Sequence, residues 1–299
     1  MTESMLVTLS NAMADAVEMA GKSTVLVDAR RRFPASGILI SKEFVLTADH
    51  VVERDEQIKV VLADGAELGA SVAGRDPGSD LAVLKLDRAA GIAAQPSGTQ
   101  ARVGQLVLAL GRPTNEGIQA SLGTVSALGG PVRTGRGAML EQYIRTDCIS
   151  FPGFSGGPLV ASDGSVLALN TSGLARGAAL AIPTATAWKV GTTLAEHGHI
   201  RRGYLGVRSQ TVEIDDASRK ALKREQESGL LLMGVEKDSP AAAGGLMVGD
   251  ILVAVKGSQI NHHDELFGAL TGDVVGKATP IEILRGGEVK TLSITVGER

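Results

Sequence analysis

The stretch from Phe151 to Pro158 constrains the fold of this chain more than any other. It places one serine, Ser155, among three glycines and two prolines. Glycine relieves the steric limits on backbone dihedrals, so a tight turn here aims consecutive backbone N–H groups into one small space. Such a turn suits a nucleophilic serine beside donors that stabilise a negatively charged oxygen. An ordinary glycine-rich loop has the same composition, so this stretch does not decide between the two interpretations by itself.

A histidine and an aspartate upstream supply the groups that a nucleophilic serine requires. A serine hydroxyl needs a base to accept its proton, and the base needs a group that orients it. His50 ends an apolar run that starts at Val45, and Asp80 precedes the alternating run Leu81–Leu86. The order histidine, aspartate, serine is one of several in which this catalytic geometry occurs. Because the three local contexts agree, they favour a catalytic site over an isolated surface or core histidine.

At these residues the chain resembles the HtrA (high-temperature-requirement) family, which are chymotrypsin-like serine proteases, here with one C-terminal PDZ domain. The stretches that carry the resemblance are Thr47–Val52, Ser79–Lys85, Gly153–Val160 and Tyr204–Val207. The resemblance covers roughly residues 23 to 297. Two positions depart from the family's usual pattern: Phe154 replaces an asparagine, and Asp49 replaces a small or amide residue.

The resemblance implies a catalytic triad with defined roles. Ser155 is the expected nucleophile, His50 the general base and then general acid, and Asp80 the group that orients the imidazole. The backbone N–H groups of Gly153 and Ser155 are the expected oxyanion hole.

The two departures from the family pattern lead to two structural expectations. We expect Phe154 to pack beneath the serine turn; the alternative is a ring that favours a flipped peptide and an inactive turn. Asp49 is expected at the surface, because adjacent residues of a strand rarely face one another. In that position Asp49 does not compete with Asp80 for His50.

The substrate pocket is expected to be modest in size and apolar. Its expected lining residues are Ile149 and Ser150, Thr171 to Leu174, and Ala178 to Leu180. These segments contain no acidic residue, so cleavage after Lys or Arg is not expected, and small or medium aliphatic residues are favoured. An apolar pocket discriminates by only about 1–3 kcal/mol per methylene, which suits a protease that acts on unfolded chains.

Changes in the hydrophobic pattern divide the chain into a helix, two barrels and a small second domain. Residues 1–22 form an expected N-terminal amphipathic helix that packs on the protease, with an oligomer contact as the alternative. Residues 23–198 contain short strands and predict two six-stranded antiparallel β-barrels, as in chymotrypsin, with their boundary at about 87–102. Residues 199–203 are predicted to be a polar linker, and residues 204–299 a small α/β module that resembles a PDZ domain. The predicted fold class is therefore mainly β.

The predicted PDZ domain implies a second binding site. In such domains a peptide C-terminus adds a strand beside a helix, and its carboxylate meets backbone N–H groups. The expected peptide-binding residues are Tyr204, Leu205, Gly206 and Val207.

Composition and charge argue against several other classes of partner. The net charge of −3 and the lack of a basic patch argue against nucleic acid. The chain has no apolar stretch of 18 residues, so no transmembrane segment is predicted. The single cysteine, Cys148, excludes an intramolecular disulfide and is expected to be buried and inert. No convergent set of ligands is visible around His197 and His199, so neither a metal nor another cofactor is expected.

These observations and the resemblance predict an ATP-independent serine endopeptidase that hydrolyses unfolded or misfolded proteins and binds peptide C-termini at its PDZ domain. The alternative is a non-proteolytic or regulated-inactive chaperone or scaffold that binds clients with an idle active site. The family also implies a homotrimer, for which this sequence shows no decisive signature. Residues 1–21 contain no Lys or Arg and no long apolar run, so the expected location is cytoplasmic. An extracytoplasmic location follows if a leader was removed.

Overall fold

The structure is a computed structural model that describes residues 4–134, 139–174, 180–201, 203–270 and 274–298. The chain divides into two compact units, Met1–Ile200 and Arg201–Arg299.

The first unit consists of two antiparallel barrels and two helices among its described residues. The helices are α1 (Met5–Gly21) and α2 (Thr184–His197). The strands are β1 (Thr24–Asp28), β2 (Ala35–Leu39), β3 (Phe44–Ala48), β4 (Ile58–Val61), β5 (Glu67–Asp76), β6 (Leu81–Leu86), β7 (Leu106–Gly111), β8 (Gln119–Gly129), β9 (Val132–Arg133), β10 (Met139–Leu140), β11 (Tyr143–Thr146), β12 (Pro158–Val160), β13 (Val166–Thr171) and β14 (Leu180–Pro183). A short 3-10 turn, Asp49–Val51, follows β3.

The first barrel closes in the strand order β1-β2-β3-β6-β5-β4. Its interior is aliphatic, with Leu39, Val45 and Leu84 fully buried in one cluster. Strand β6 pairs with β3 in a register that places Leu81 opposite Ala48. The residues just beyond this last pair, one before β6 and two after β3, therefore emerge side by side at one end of the barrel.

The second barrel closes in the strand order β11-β14-β13-β12-β7-β8. Its strands are antiparallel throughout, and the serine turn leads directly into β12. The prediction of two six-stranded antiparallel barrels is confirmed. Strands β9 and β10 form a separate two-stranded ribbon between β8 and β11.

Helix α1 packs on the barrels through its C-terminal half. Ala16 and Ala20 are buried in a cluster with Leu110 of β7. By contrast, Leu6 and Leu9 near its start are 76% and 42% exposed. The apolar face is therefore only partly covered within this chain.

The second unit is a six-stranded antiparallel sheet with short helices. Its elements are β15 (Gly203–Tyr204), β16 (Val207–Glu213), α3 (Asp216–Leu222), β17 (Ser228–Val235), α4 (Pro240–Ala243), β18 (Ile251–Val255), β19 (Ser258–Gln259), α5 (His263–Ala269), β20 (Ala278–Arg285), β21 (Glu288–Thr295) and β22 (Gly297–Glu298). The sheet order is β16-β17-β18-β20-β21, with β19 beside β18 and a separate β15–β22 pair. Leu230, Leu252 and Ile283 are fully buried between the sheet and the helices.

The sequence pattern did not predict helix α3. Its start is fixed by a local cap, in which the Asp215 carboxylate accepts hydrogen bonds from the N–H groups of Ala217 (2.9 Å) and Ser218 (3.0 Å). An Asp-Asp-Ala-Ser run is a recognisable helix start, but the helix is only seven residues long and lacks a clear apolar repeat.

A buried ion pair ties β20 to the turn before β18. The Asp250 side chain is 1% exposed, and Arg285 Nε and Nη2 each donate to one of its carboxylate oxygens at 2.7 Å. The N–H of Met247 also donates to Asp250 at 2.8 Å. Burial alone raises the pKa of this carboxyl, but the bonds from Arg285 and Met247 outweigh burial and hold the pKa below its ordinary value.

We expect Asp250→Asn to lower the free energy of unfolding of the second unit by about 3 kcal/mol at pH 7, because it leaves a partly buried guanidinium without its counterion. The folded-state pKa lies below the unfolded value of about 3.9, so the carboxylate stabilises the fold above that pH. This stabilisation is lost as the pH falls through the folded-state pKa, and the difference between wild type and variant shrinks there.

Hydrogen exchange at the β18 amides, followed by mass spectrometry from pH 7 to pH 3, measures this difference in the full chain. Asp238→Asn at an exposed turn is the matched control and is expected to leave β18 protection unchanged. Equal β18 protection in wild type and Asp250→Asn at pH 7 contradicts the assignment.

Candidate active site

The His50–Asp80 pair forms where β3 and β6 end together. His50 Nδ1 lies 2.8 Å from Asp80 Oδ2, and the His50 N–H donates to Asp80 Oδ1 at 3.0 Å. The Asp49 N–H donates to the Asp80 carbonyl at 3.0 Å, which joins the two chain segments through the backbone as well. Asp80 has a left-handed φ of 57°, a region that aspartate tolerates better than most residues. The structure thus brings the predicted base and its orienting group into direct contact.

The last residue of β13 and the residues after it contact this pair. Thr171 Oγ1 donates a hydrogen bond to Asp80 Oδ2, and the Gly173 N–H donates to Thr171 Oγ1 at 2.9 Å. An ionised carboxylate only accepts hydrogen bonds, so His50 carries its proton on Nδ1. The Nε2 lone pair of the neutral ring therefore faces the cleft and is free to accept a proton.

Ser155 lies across the cleft from His50. It is 7% exposed, and its Oγ lies 3.1 Å from Ser172 Oγ and 3.3 Å from the Ser172 backbone nitrogen. Ser172 Oγ in turn lies 3.4 Å from His50 Nε2. The three predicted triad residues therefore meet at one site, with a serine hydroxyl that the sequence reasoning did not single out.

Ser36 of β2 holds the serine turn in place. Its Oγ donates to the Gly153 carbonyl at 2.7 Å, and its N–H donates to the Ser155 carbonyl at 3.2 Å. The Arg112 N–H completes the arrangement by donating to Ser36 Oγ at 2.8 Å. Ser36 is fully buried, and sequence reasoning missed it because a serine within a strand has no distinctive pattern.

The turn leaves two backbone donors unused by the protein. The N–H groups of Gly153 and Ser155 have no hydrogen-bond acceptor among the described residues. The carbonyls of both residues accept hydrogen bonds from Ser36. Gly153 and Gly156 both have φ of 88°, which glycine adopts without strain. Gly156 also has no room for a side chain, since a Cβ there would lie 2.1 Å from the Ser36 carbonyl oxygen.

Phe154 packs beneath the serine turn, as expected. Its side chain is fully buried in the second barrel and meets Phe151 edge to face, with ring centroids 5.3 Å apart. The ring lies against Gly111, where a Cβ would come within 2.6 Å of it. The aromatic side chain therefore points away from the cleft.

The expectation that Asp49 lies at the surface is wrong. Its side chain is 2% exposed and accepts a hydrogen bond at 2.7 Å from Arg75 Nε on β5. Arg75 Nη2 also donates to the Val52 carbonyl at 2.7 Å. Arg75 therefore provides a counterion for the buried Asp49 carboxylate and also holds the backbone of the turn that carries His50.

A cavity of about 360 Å³ opens beside Ser155. Its lining residues are Arg30, Arg32, Phe33, His50, Glu53, Ser150, Phe151, Pro152, Gly153, Ser155 and Ser172. Charged side chains thus contribute to a site that was expected to be apolar.

The predicted pocket residues lie in different environments. Ser150 lines the cavity, whereas Ile149 is 62% exposed and Thr171 is buried against Asp80. Leu174 is half-buried against the main cluster of the first unit. Ala178 lies outside the described residues.

Two further findings concern the part of the chain that the structure describes. No group of three or more His, Cys, Asp or Glu side chains there is arranged to hold a metal ion. No helix in that part is long and apolar enough to cross a membrane.

Cys148 is buried as expected, and burial raises the pKa of its thiol.

The second unit has an edge strand beside a helix. Strand β16 pairs only with β17 within the described sheet, and His263 Nε2 at the start of α5 lies 3.0 Å from both Ser209 Oγ and the Ser209 carbonyl of β16. At the entrance to this strand, Leu205 is buried and Gly206 has φ of 79°.

The remaining predicted peptide-binding residues flank this turn. Tyr204 ends β15 and donates its hydroxyl hydrogen to Glu236, and Val207 begins β16.

Two family models match the chain. The trypsin-like peptidase domain matches residues 35–169, and the PDZ domain matches residues 203–296.

Curated relatives named "probable periplasmic serine endoprotease DegP-like" are similar to most of the chain. The Pseudomonas fulva protein is 37% identical over 270 residues, covering 88% of this chain and 55% of the relative. The Halomonas elongata protein is 34% identical over 276 residues, covering 90% of this chain and 57% of the relative. The chain therefore spans little more than half the length of these relatives. Their names place them in the periplasm and do not support the cytoplasmic location expected from the sequence.

Solved structures match both units. The HtrA-type protease AlgW with a decapeptide has a TM-score of 0.79 and 30% identity, covering 96% of this chain and 98% of that one. The serine endoprotease from Yersinia pestis has a TM-score of 0.78 and 31% identity, with the same coverage.

We expect Gly173→Ala to disrupt the His50–Asp80 pair, because a Cβ at this position would lie 2.4 Å from Asp80 Oδ2 and 2.7 Å from His50 Nδ1. Both distances are well inside the separation of about 3.5–4.0 Å at which atoms pack without repulsion. The NMR resonance of the His50 Nδ1 proton is expected far downfield in wild type and shifted or lost in the variant.

Gly98→Ala is the matched control, because a Cβ at Gly98 meets no atom within 4 Å and its φ is ordinary. Assignment of the resonance uses His50→Gln, which removes it. An unchanged downfield resonance in Gly173→Ala contradicts the close approach of Gly173 to the His50–Asp80 pair.

Proposed function

The chain belongs to the HtrA family of chymotrypsin-like serine proteases with a C-terminal PDZ domain, and on that basis we propose that it hydrolyses peptide bonds of unfolded or misfolded polypeptides without ATP. The observation that carries this proposal is the contact of His50 Nδ1 with the buried Asp80 at 2.8 Å, directly across a cleft from Ser155. A base held by a carboxylate beside a serine hydroxyl is the arrangement that acyl transfer requires.

The proposed reaction has two halves. In the first, Ser155 Oγ attacks the peptide carbonyl carbon, His50 Nε2 takes up the proton, and Asp80 stabilises the imidazolium that forms. His50 then gives that proton to the leaving amine. In the second half, water attacks the acyl-enzyme with His50 again as the base, and Ser155 is regenerated.

The free N–H groups of Gly153 and Ser155 are the proposed oxyanion hole. Ser36 holds the peptide groups on either side of the one that carries the Ser155 N–H, and one of them also adjoins the Gly153 N–H. The turn that presents both donors is therefore restrained before substrate arrives. Removing one such donor typically costs about 10²–10³ in turnover.

Two observations favour the protease over a client-binding scaffold with an idle site. The ring of Phe154, which raised that alternative, is buried in the barrel and leaves the cleft open. The relatives with the same two domains are named as endoproteases.

The second unit is the proposed binding site for peptide C-termini. An incoming peptide adds a strand to the open edge of β16, and its carboxylate meets the backbone at Tyr204, Leu205, Gly206 and Val207. The HtrA-type protease AlgW was solved with a decapeptide, which supports peptide recognition in this family.

We further propose that the protein acts outside the cytoplasm, as the names of its curated relatives indicate for them. The homotrimer expected from the family also stays a proposal. The feature of this chain that supports self-association is the exposed apolar start of α1, where Met5 and Leu6 are 86% and 76% exposed.

Ser155→Ala and His50→Ala are each expected to abolish hydrolysis of unfolded casein, because they remove the nucleophile and the base. Both variants are expected to unfold at the same temperature as wild type. Ser126→Ala, at an exposed serine of β8, is the matched control and is expected to keep wild-type turnover. Wild-type rates in either active-site variant, with contaminating protease excluded, refute the assignment.

Gly206→Ala is expected to weaken binding of a peptide with a free apolar C-terminus at least about tenfold, equivalent to about 1.4 kcal/mol. A Cβ there would lie 2.3 Å from Ser239 Cβ, so the loop that meets the carboxylate must move. Fluorescence anisotropy with a labelled peptide measures the affinity, and the C-terminally amidated peptide is expected to bind weakly.

Gly287→Ala is the control for that variant. Its φ of 81° matches the 79° of Gly206, so both alanines carry similar backbone strain, but a Cβ at Gly287 meets nothing within 4 Å. Equal peptide affinity in both variants contradicts a binding site at this loop.

A further inference from the structure

A second serine hydroxyl lies between the nucleophile and the base. Ser172 Oγ is 3.1 Å from Ser155 Oγ and 3.4 Å from His50 Nε2. Among the hydrogen bonds of the described residues, none joins Ser155 Oγ directly to His50 Nε2. The connection between nucleophile and base in this structure therefore runs through Ser172.

The direction of each hydrogen bond follows from Asp80. Because Asp80 accepts from His50 Nδ1, the neutral ring presents an acceptor at Nε2. The Ser172 hydroxyl donates to that nitrogen, and its own oxygen accepts from the Ser155 hydroxyl. The result is one continuous path of donors and acceptors, Ser155 O–H to Ser172 O–H to His50 Nε2.

We propose that Ser172 is a further catalytic residue, which relays the proton of Ser155 to His50 during acylation; this rests on the proposed protease function. As Ser155 Oγ bonds to the carbonyl carbon, its proton passes to Ser172 Oγ, and the Ser172 proton passes to Nε2. The carbonyl π electrons move to the oxygen and give the oxyanion. Ser172 ends the step neutral, and the positive charge rests on the imidazolium beside Asp80.

The neighbours of Ser172 hold it at this position although it is exposed. Thr171 is bonded to Asp80 on one side, and the Gly173 N–H is bonded to Thr171 on the other. The Ser172 N–H donates to Ser155 Oγ at 3.3 Å, which orients an oxygen lone pair of the nucleophile. The relay hydroxyl is thus carried by a segment anchored to the same carboxylate that orients the base.

Steady-state hydrolysis of a chromogenic peptide by the full chain tests the relay. Ser172→Ala is expected to lower kcat by about 10- to 100-fold with little change in KM. This is less than the about 10²–10⁴-fold typical of a whole general base, because His50 remains. Ser172→Thr keeps the hydroxyl and is expected to recover most of the rate. Ser126→Ala controls for the loss of an exposed serine hydroxyl.

Rates in mixtures of H₂O and D₂O distinguish a proton relay from a purely structural role of Ser172. Two protons move together in the relay, so a plot of the wild-type rate against the deuterium fraction of the solvent is expected to be curved. The Ser172→Ala rate, with one proton in transfer, is expected to fall linearly. A linear wild-type plot, or unchanged curvature in the variant, overturns the relay.

The remaining outcomes are also decisive. A Ser172→Ala rate equal to wild type overturns the relay. A rate above wild type also overturns it and shows that the hydroxyl competes with His50 for Ser155. If wild type and Ser155→Ala both fail to cleave the peptide and casein, the protease function itself fails. Circular dichroism melting of each variant separates loss of activity from loss of fold.

Discussion

The buried carboxylate of Asp80 is the group on which the site depends. Its side chain is 4% exposed, and a charge so placed is stable only when hydrogen bonds replace the water it has lost. Those bonds come from the His50 N–H, the His50 ring and the Thr171 hydroxyl. The same bonds that stabilise the charge fix the imidazole and the segment that carries Ser172. Because the buried Asp80 carboxylate requires these hydrogen bonds, it fixes the positions of side chains from both barrels.

The second requirement is that the serine turn of one barrel be held by the other. Ser36, from a strand of the first barrel, holds the carbonyls of Gly153 and Ser155. Since peptide groups are planar, fixing these carbonyls also fixes the N–H groups of Phe154 and Gly156, which donate to the carbonyls of Phe151 and Asn170. The peptide group that carries the Ser155 N–H lies between these two fixed peptide groups. Arg112 extends this arrangement, because its guanidinium donates to the carbonyls of Gly21 and Thr24. The end of α1 is thereby connected through partly buried hydrogen bonds to the turn that carries Ser155.

The two departures from the family pattern are accommodated by different means. Phe154 is accommodated by space, because Gly111 leaves room for a ring that then adds apolar contact to the barrel. Asp49 is accommodated by charge, since Arg75 provides a counterion within 2.7 Å. Neither side chain lines the cavity beside Ser155, so both are compatible with the proposed triad.

The sequence by itself determined the two-barrel fold and the PDZ domain, and it singled out the three residues that we propose as the triad. Alternating apolar residues specify strands, and short motifs around His50, Asp80 and Ser155 specify chemistry, because both depend on local spacing along the chain. Only the tertiary structure decided which other side chains contact these three residues. Ser36, Thr171 and Ser172 reach the site through barrel closure, which brings together residues 91 to 122 positions apart. The burial of Asp49 was decided in the same way, by an arginine on another strand, and no local pattern encodes such a contact.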